Sequence, residues 1–106
     1  MAGNRDWMKT TADQSYNYED YQEVTPNGDT VRYPAAGTEF TQPWDYFIVE
    51  NKSAVDIRIK WDADASNTSG QKLTTGQIGK FPIRAENYIS VYGGDGTAIP
   101  VRFFRW

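Results

Sequence analysis

Apolar and polar residues alternate most regularly in two parts of the chain, and the alternation predicts β-strands. In residues 55–61 every second position is apolar and the positions between carry Asp, Arg and Lys, the pattern of a strand with one buried face. Residues 46–49 are apolar at every position, which indicates a strand covered on both sides. The alternation returns in residues 88–92 and 98–104, around a glycine-rich turn. We therefore expect each of these two pairs of strands to form a β-hairpin.

A third hairpin is predicted over residues 22–33. There Asn27-Gly28 separates two short runs of β-forming residues and supplies the positive φ angles of a tight turn. Residues 73–83 contain two glycines and a proline, which favours a loop or an edge strand. Turn signals recur about every 8 to 12 residues, and no amphipathic pattern of three helical turns is present. The chain is therefore predicted to be all-β, a single antiparallel β-sandwich, jelly-roll-like or Ig-like, with roughly six to eight strands.

The inward positions of these strands predict the core, because alternate residues of a strand share one face. They are Ile48, Val55, Ile57, Ile59, Trp61, Ile89, Val91, Ile99, Val101 and Phe103. The outward row of the last hairpin holds Tyr88, Tyr92 and Phe104, with Arg102 between them. If exposed, this row is a contact surface for another protein or a stacking platform for sugar rings; alternatively it faces a second sheet. The aromatic terminus at Trp106 predicts docking in a core or a subunit interface.

Residues 1–21 have no sustained hydrophobic period and are rich in Asn, Asp, Thr, Gln and Ser. They nevertheless contain four aromatic residues, Trp7, Tyr16, Tyr18 and Tyr21. Aromatic rings on a polar segment favour burial, which predicts an extended arm that lays its rings on its own domain or on a neighbouring subunit. A frayed tail is the alternative. The predicted organisation is thus an N-terminal arm over residues 1–21 and a β-sandwich domain over residues 22–106.

The composition excludes several classes of function. The 106 residues include no cysteine and no histidine, which removes disulfides, thiolate catalysis, cysteine-ligated metals and the usual general base near neutral pH. No phosphate-binding glycine loop precedes a helix. The net charge of −3 comes without the clustered positive field that nucleic acid requires. We therefore expect a chain that is not an enzyme, needs no cofactor and does not bind nucleic acid.

No run of 18 apolar residues occurs, and the first residues lack the hydrophobic region of a signal peptide, so we expect no membrane partner and synthesis in the cytoplasm. In the polar loop after Trp61, the oxygens of Asp62, Asp64 and Ser66 resemble the start of a calcium loop. Asn67 stands where the turn glycine belongs. A solvated loop between strands is the favoured interpretation, as is turn chemistry for the glycosylation-like triplet at residues 51–53.

Residues 47–59, with Phe-Ile-Val-Glu-Asn-Lys-Ser-Ala-Val-Asp-Ile-Arg-Ile, and the pair of segments at residues 89–92 and 99–103 resemble small accessory proteins of bacteriophage virions. Capsid decoration or cement proteins, penton-type proteins and fibre-base modules belong to this group. The resemblance covers residues 45–106 and extends to the preceding aromatic arm.

The resemblance implies a virion structural protein that forms a symmetric homo-oligomer. Its partners would be other copies of itself and a major capsid or tail protein, and its location the virion after synthesis in the host cytoplasm. The arm and the surface aromatics would make the contacts. The alternative is a carbohydrate-binding module with a glycan platform formed by Trp44, Tyr46, Tyr88 and Tyr92.

Overall fold

The computed structural model of the protein describes residues 18–105, with the backbone alone of Tyr18. Three residues of the predicted arm and terminus, Trp7, Tyr16 and Trp106, lie outside this range. Eight strands are present in the described part of the chain. They are β1 (Tyr18–Val24), β2 (Asp29–Tyr33), β3 (Tyr46–Glu50), β4 (Ile57–Trp61), β5 (Gln71–Leu73), β6 (Ile78–Phe81), β7 (Ile89–Gly93) and β8 (Ile99–Arg105).

The strands form two four-stranded antiparallel sheets, which confirms the predicted all-β sandwich. Sheet A has the order β1-β8-β3-β6 and sheet B the order β2-β7-β4-β5. Four of the pairings match the first half of the strands with the second half in reverse order, as when one long hairpin is rolled around a core. They are β1 with β8, β2 with β7, β3 with β6 and β4 with β5. This wrapping is the eight-stranded jelly roll rather than the Ig arrangement. Within residues 18–105 no helix could span a membrane.

All three predicted hairpins are wrong, because the two strands of each predicted hairpin lie in different sheets. β1, β3 and β8 belong to sheet A, whereas β2, β4 and β7 belong to sheet B. Alternation shows which face of a strand is buried but not which strand lies beside it. Two neighbouring strands can also hide their apolar rows by facing one another across the core. The turns at residues 25–28, 51–56 and 94–98 are therefore arches between sheets.

The arch from β3 to β4 is held by one buried amide. The side chain of Asn51 is fully buried, and its Nδ2 donates to the carbonyl oxygens of Val55 at 2.8 Å and Leu73 at 3.0 Å. Its Oδ1 accepts from the backbone N–H of Ser53 at 3.0 Å and from the Ser53 hydroxyl at 2.7 Å. The triplet that matches a glycosylation site is thus a turn whose amide is closed in by the protein, as the sequence favoured.

The core lies between the sheets and contains most of the predicted residues. Ile57, Ile59, Ile89, Val91, Ile99, Val101 and Phe103 are fully buried, and Trp61 packs partly buried against them. The prediction is wrong for Val55, which is 44% exposed in the arch before β4 begins. It is also wrong for Ile48, which is only partly buried because its neighbours Phe47 and Val49 take the inward positions of β3.

The sandwich begins earlier than the predicted domain boundary after residue 21. β1 runs from Tyr18 to Val24 and pairs with β8 along its whole length, so that Tyr18 lies opposite Arg105 and Val24 opposite Ile99. Residues 18–21 are consequently the first half of an edge strand of sheet A.

Candidate interaction surfaces

Three of the predicted surface aromatics are buried, so their assignment to the surface is wrong. Trp44 is 5% exposed, Tyr46 2% and Phe104 1%. Trp44 belongs to the core cluster, with its ring centroid 5.4 Å from that of Phe103. Tyr46 and Phe104 are register partners on β3 and β8, and their ring centroids lie 5.3 Å apart. The side-by-side position of two strands distant in sequence creates this pair, which alternation within one strand cannot show.

Tyr88 and Tyr92 lie on the outer face of sheet B, and both are partly buried. The guanidinium of Arg32 lies over the Tyr88 ring, 4.4 Å from its centroid. Between the two tyrosines Ser90 is fully buried beneath the loop from β4 to β5, where its hydroxyl donates to the carbonyl of Ala63 at 2.7 Å. The loop therefore interrupts the predicted outward row, which neither forms a continuous platform nor faces another sheet.

The carboxylates of that loop serve the fold. Asp62 has a backbone φ angle of 55°. Its carboxylate accepts hydrogen bonds from the backbone N–H groups of Glu86 at 2.9 Å and Asn87 at 2.6 Å. Asp64 instead binds the Arg32 guanidinium through two hydrogen bonds of 2.8 and 3.1 Å. Hydrogen bonding to Arg32 lowers the pKa of Asp64 below its usual range. The two side chains thus hold different partners, and no metal-ligating cluster of acidic side chains occurs in residues 18–105.

A cleft lies beside this ion pair. Its volume is about 410 Å³, and it is lined by Thr30, Val31, Arg32, Ala35, Ala36 and Asp64. Its two charged groups, Arg32 and Asp64, bind each other. The cleft is open, and small side chains line much of it.

A second depression crosses the outer face of sheet A, and we call it the sheet A cleft. Its volume is about 220 Å³, and all four strands of the sheet or their immediate flanks line it, through Tyr21, Ile48, Glu50, Lys52, Ile78, Pro100 and Arg102. Tyr21 is 51% exposed and Ile78 is 54% exposed. Apolar side chains that remain exposed together on one sheet face are typical of a protein contact surface.

Charged groups border the cleft. Arg102 makes an ion pair with Glu19 of β1, in which its Nε lies 2.7 Å from the carboxylate oxygen. The Tyr21 hydroxyl donates to Glu23 at 3.0 Å, and this hydrogen bond raises the pKa of Tyr21. The cleft thus combines an apolar centre with a rim that carries both signs of charge.

Within residues 18–105, two of the predicted site residues line the sheet A cleft, namely Tyr21 and Arg102, which are register partners on β1 and β8. Ile48 and Ile78 were missed as surface residues. Both rows of β3 are apolar, so alternation alone does not show that Ile48 faces outward, and no pattern around Ile78 indicates its exposure. Pro100, by contrast, alternates with the predicted inward residues Ile99 and Val101, which placed it on the outward row.

Comparison of the chain with models of protein families, with curated proteins and with solved structures finds no match. The function is therefore inferred from the chemistry and geometry of this molecule.

Proposed function

We propose that this chain is a non-enzymatic structural protein of a bacteriophage virion, which forms a homo-oligomer and attaches to a major capsid or tail protein. The observation that carries the proposal is the sheet A cleft, where Tyr21 and Ile78 remain about half exposed beside a rim of charged side chains. The contact is made by this face and by the N-terminal arm that leads into β1. Apolar surface of this kind is stabilised when a partner removes it from water.

The strand order supports the same class by analogy. The eight-stranded jelly roll is common among viral capsid domains, and it also occurs in lectins and cupins. Because one fold serves many functions, the strand order supports the proposal only together with the exposed cleft.

The carbohydrate-binding alternative loses the surface on which it depended. Trp44 and Tyr46 are buried beside sheet A, whereas Tyr88 and Tyr92 lie on the outer face of sheet B. Sugar rings stack on aromatic faces that share one exposed plane, and these four residues do not share one. Binding of the full chain to a glycan array, lost in Tyr92→Ala, would nevertheless favour this alternative over ours.

The test is whether the chain co-purifies with bacteriophage particles. Intact particles are purified on a density gradient from a lysate in which the chain is expressed from its native locus, and its peptides are quantified by mass spectrometry. We expect the chain to band with the particles at a constant ratio to the major capsid or tail protein. A soluble host protein of similar mass controls for carry-over. Recovery of the chain only in the soluble fractions would overturn the proposal.

A further inference from the structure

The sheet A cleft offers side chains and no unpaired backbone at its centre. Its floor is formed by Ile48 and Pro100 on β3 and β8, which are both interior strands of sheet A. The backbone groups of interior strands are used by their neighbours on both sides. A ligand of this cleft is therefore recognised by an apolar side chain that enters between Tyr21 and Ile78, rather than by the addition of a strand.

The rim restricts the ligand further. Glu50 and Lys52 stand at the end of β3, and Arg102 lies across from them on β8. An apolar anchor with charges of both signs beside it would match this rim better than a uniformly charged segment.

Such a segment exists in the chain before β1. Within residues 1–17, Trp7-Met8 is flanked by Arg5-Asp6 and Lys9. Fully extended, 17 residues span up to roughly 60 Å, which exceeds the longest dimension of the molecule, 44 Å. The segment is thus long enough to reach the cleft of a neighbouring molecule.

The direction of β1 favours a neighbour over the segment's own cleft. The segment joins β1 at Tyr18, opposite Arg105, whereas the cleft extends along β8 towards Pro100, which is opposite Glu23. To place Trp7 in its own cleft, the segment would have to reverse its direction between Trp7 and Tyr18. A second copy can be reached without that reversal.

We propose that the sheet A cleft of one copy binds residues 1–17 of a second copy, with the indole of Trp7 as the apolar anchor. This inference rests on the proposed function and names the surface that receives the arm. An exchange of this kind closes into a two-fold dimer or a ring.

The absence of cysteine allows a direct test by disulfide trapping in the full chain. Two differently tagged chains are co-expressed, one with Met8→Cys and one with Ile78→Cys, and then oxidised. We expect a disulfide between the two chains. The matched control replaces Ile78→Cys with Val55→Cys, which is 44% exposed outside the cleft and should give little cross-linked product. If both positions cross-link equally, the assignment of the cleft is overturned.

A second experiment replaces an exposed apolar side chain of the sheet A cleft by a charged one. The mass of the full chain is determined by light scattering for wild type, Ile78→Glu and Val55→Glu. We expect Ile78→Glu to raise the dissociation constant about 30-fold and Val55→Glu to leave it unchanged, with the same melting temperature in both variants because both positions are exposed.

The outcomes separate this inference from the proposed function. If the oligomer persists in Ile78→Glu, the cleft is not the surface that receives the arm, but the proposed virion role still stands. A monomeric Met8→Cys/Ile78→Cys chain closed by an internal disulfide shows that each cleft holds its own arm, which overturns the exchange. A chain that bands with particles while remaining monomeric before assembly also overturns the exchange, whereas absence from particles overturns the proposed function.

Discussion

Asn51 is the single side chain whose loss we expect to cost the most outside the apolar core. All of its amide hydrogen-bonding groups are used inside the protein. Asn51→Ala would leave the carbonyl of Leu73 and the backbone N–H of Ser53 without these partners, whereas the carbonyl of Val55 would keep the Ser53 hydroxyl as a donor at 2.9 Å. Each buried polar group left unsatisfied costs about 1 to 3 kcal/mol. We predict that Asn51→Ala lowers the free energy of unfolding by about 3 kcal/mol, measured by urea denaturation and tryptophan fluorescence.

The matched control is Asn67→Ala, because Asn67 is exposed in the loop between β4 and β5. We expect it to change the free energy of unfolding by less than about 0.5 kcal/mol. Equal effects of the two substitutions would show that the buried amide does not hold the arch.

The ion pair of Arg32 and Asp64 predicts a dependence of stability on acid pH. Hydrogen bonding to Arg32 lowers the pKa of Asp64 in the folded chain, so the unfolded chain binds this proton more readily. The stabilisation is therefore present above the unfolded pKa of about 4 and is lost as the pH falls through the lower folded value. Because the Asp64 side chain is half exposed, we expect a contribution below about 1 kcal/mol.

Unfolding measured between about pH 6 and pH 2 tests this contribution. Asp64→Asn should be less stable than wild type at pH 6 and should approach it at low pH, where the carboxyl of the wild type is protonated. Glu86→Gln serves as the control for loss of an exposed carboxylate. A constant difference between Asp64→Asn and wild type over the whole range would contradict the assignment.

Individual buried residues were predictable wherever one row of a strand was polar. Ile57 and Ile59 alternate with Arg58 and Lys60, so only one phase hides the apolar side chains. In β3 both rows are apolar, and the sequence cannot decide the phase that turns Ile48 outward. The cleft was even harder to predict from the sequence, because it depends on the pairing of β1 with β8. The ion pair between Glu19 and Arg102 joins residues 83 positions apart.

At the scale of strands, the end of β7 shows how closely the arches pack. Gly93 has φ 105°, and a Cβ atom there would lie 2.6 Å from the carbonyl oxygen of Asp56. Gly76 has a similar φ of 80°, but nothing lies within 4 Å of its Cβ position. Gly76→Ala therefore measures backbone strain alone, and Gly93→Ala measures strain and collision together.

We predict that Gly76→Ala lowers the free energy of unfolding by about 1 kcal/mol and Gly93→Ala by roughly 2 kcal/mol more. Thermal unfolding of both variants beside wild type provides the measurement. If the two variants lose equal stability, the contact between the end of β7 and the arch at Asp56 is not close in solution.

The strands themselves were more predictable than their partners. The two pairs with the clearest patterns, β3 with β4 and β7 with β8, supply the four interior strands of the two sheets. The weakly patterned β6 is an edge strand, as Gly79 and the following Pro82 indicated, and β5 is an edge strand of the other sheet. Pairing was mistaken because a short turn is compatible both with a hairpin and with an arch, and the choice depends on strands elsewhere in the chain.

At the scale of the whole molecule, the structure predicts where the chain can be shortened. β1 covers one edge of β8 and supplies Val24, which is 3% exposed, to the core. We expect a chain without residues 1–24 to lose cooperative thermal unfolding and near-ultraviolet circular dichroism. A chain without residues 1–17 keeps all eight strands described between residues 18 and 105 and should retain both, although under our proposal it no longer forms the oligomer. Cooperative unfolding of both truncated chains would contradict the role of β1.

In the described part of the chain, the last two strands in sequence order, β7 and β8, occupy interior positions in sheets B and A. When only β1 to β6 have left the ribosome, each sheet still lacks one interior strand. Sheet A lacks β8, which joins β1 to β3, and sheet B lacks β7, which joins β2 to β4. Neither sheet can close early, so the sandwich forms only after residue 105 has left the exit tunnel. Until then its apolar strands depend on rapid translation, or on a chaperone, to avoid aggregation.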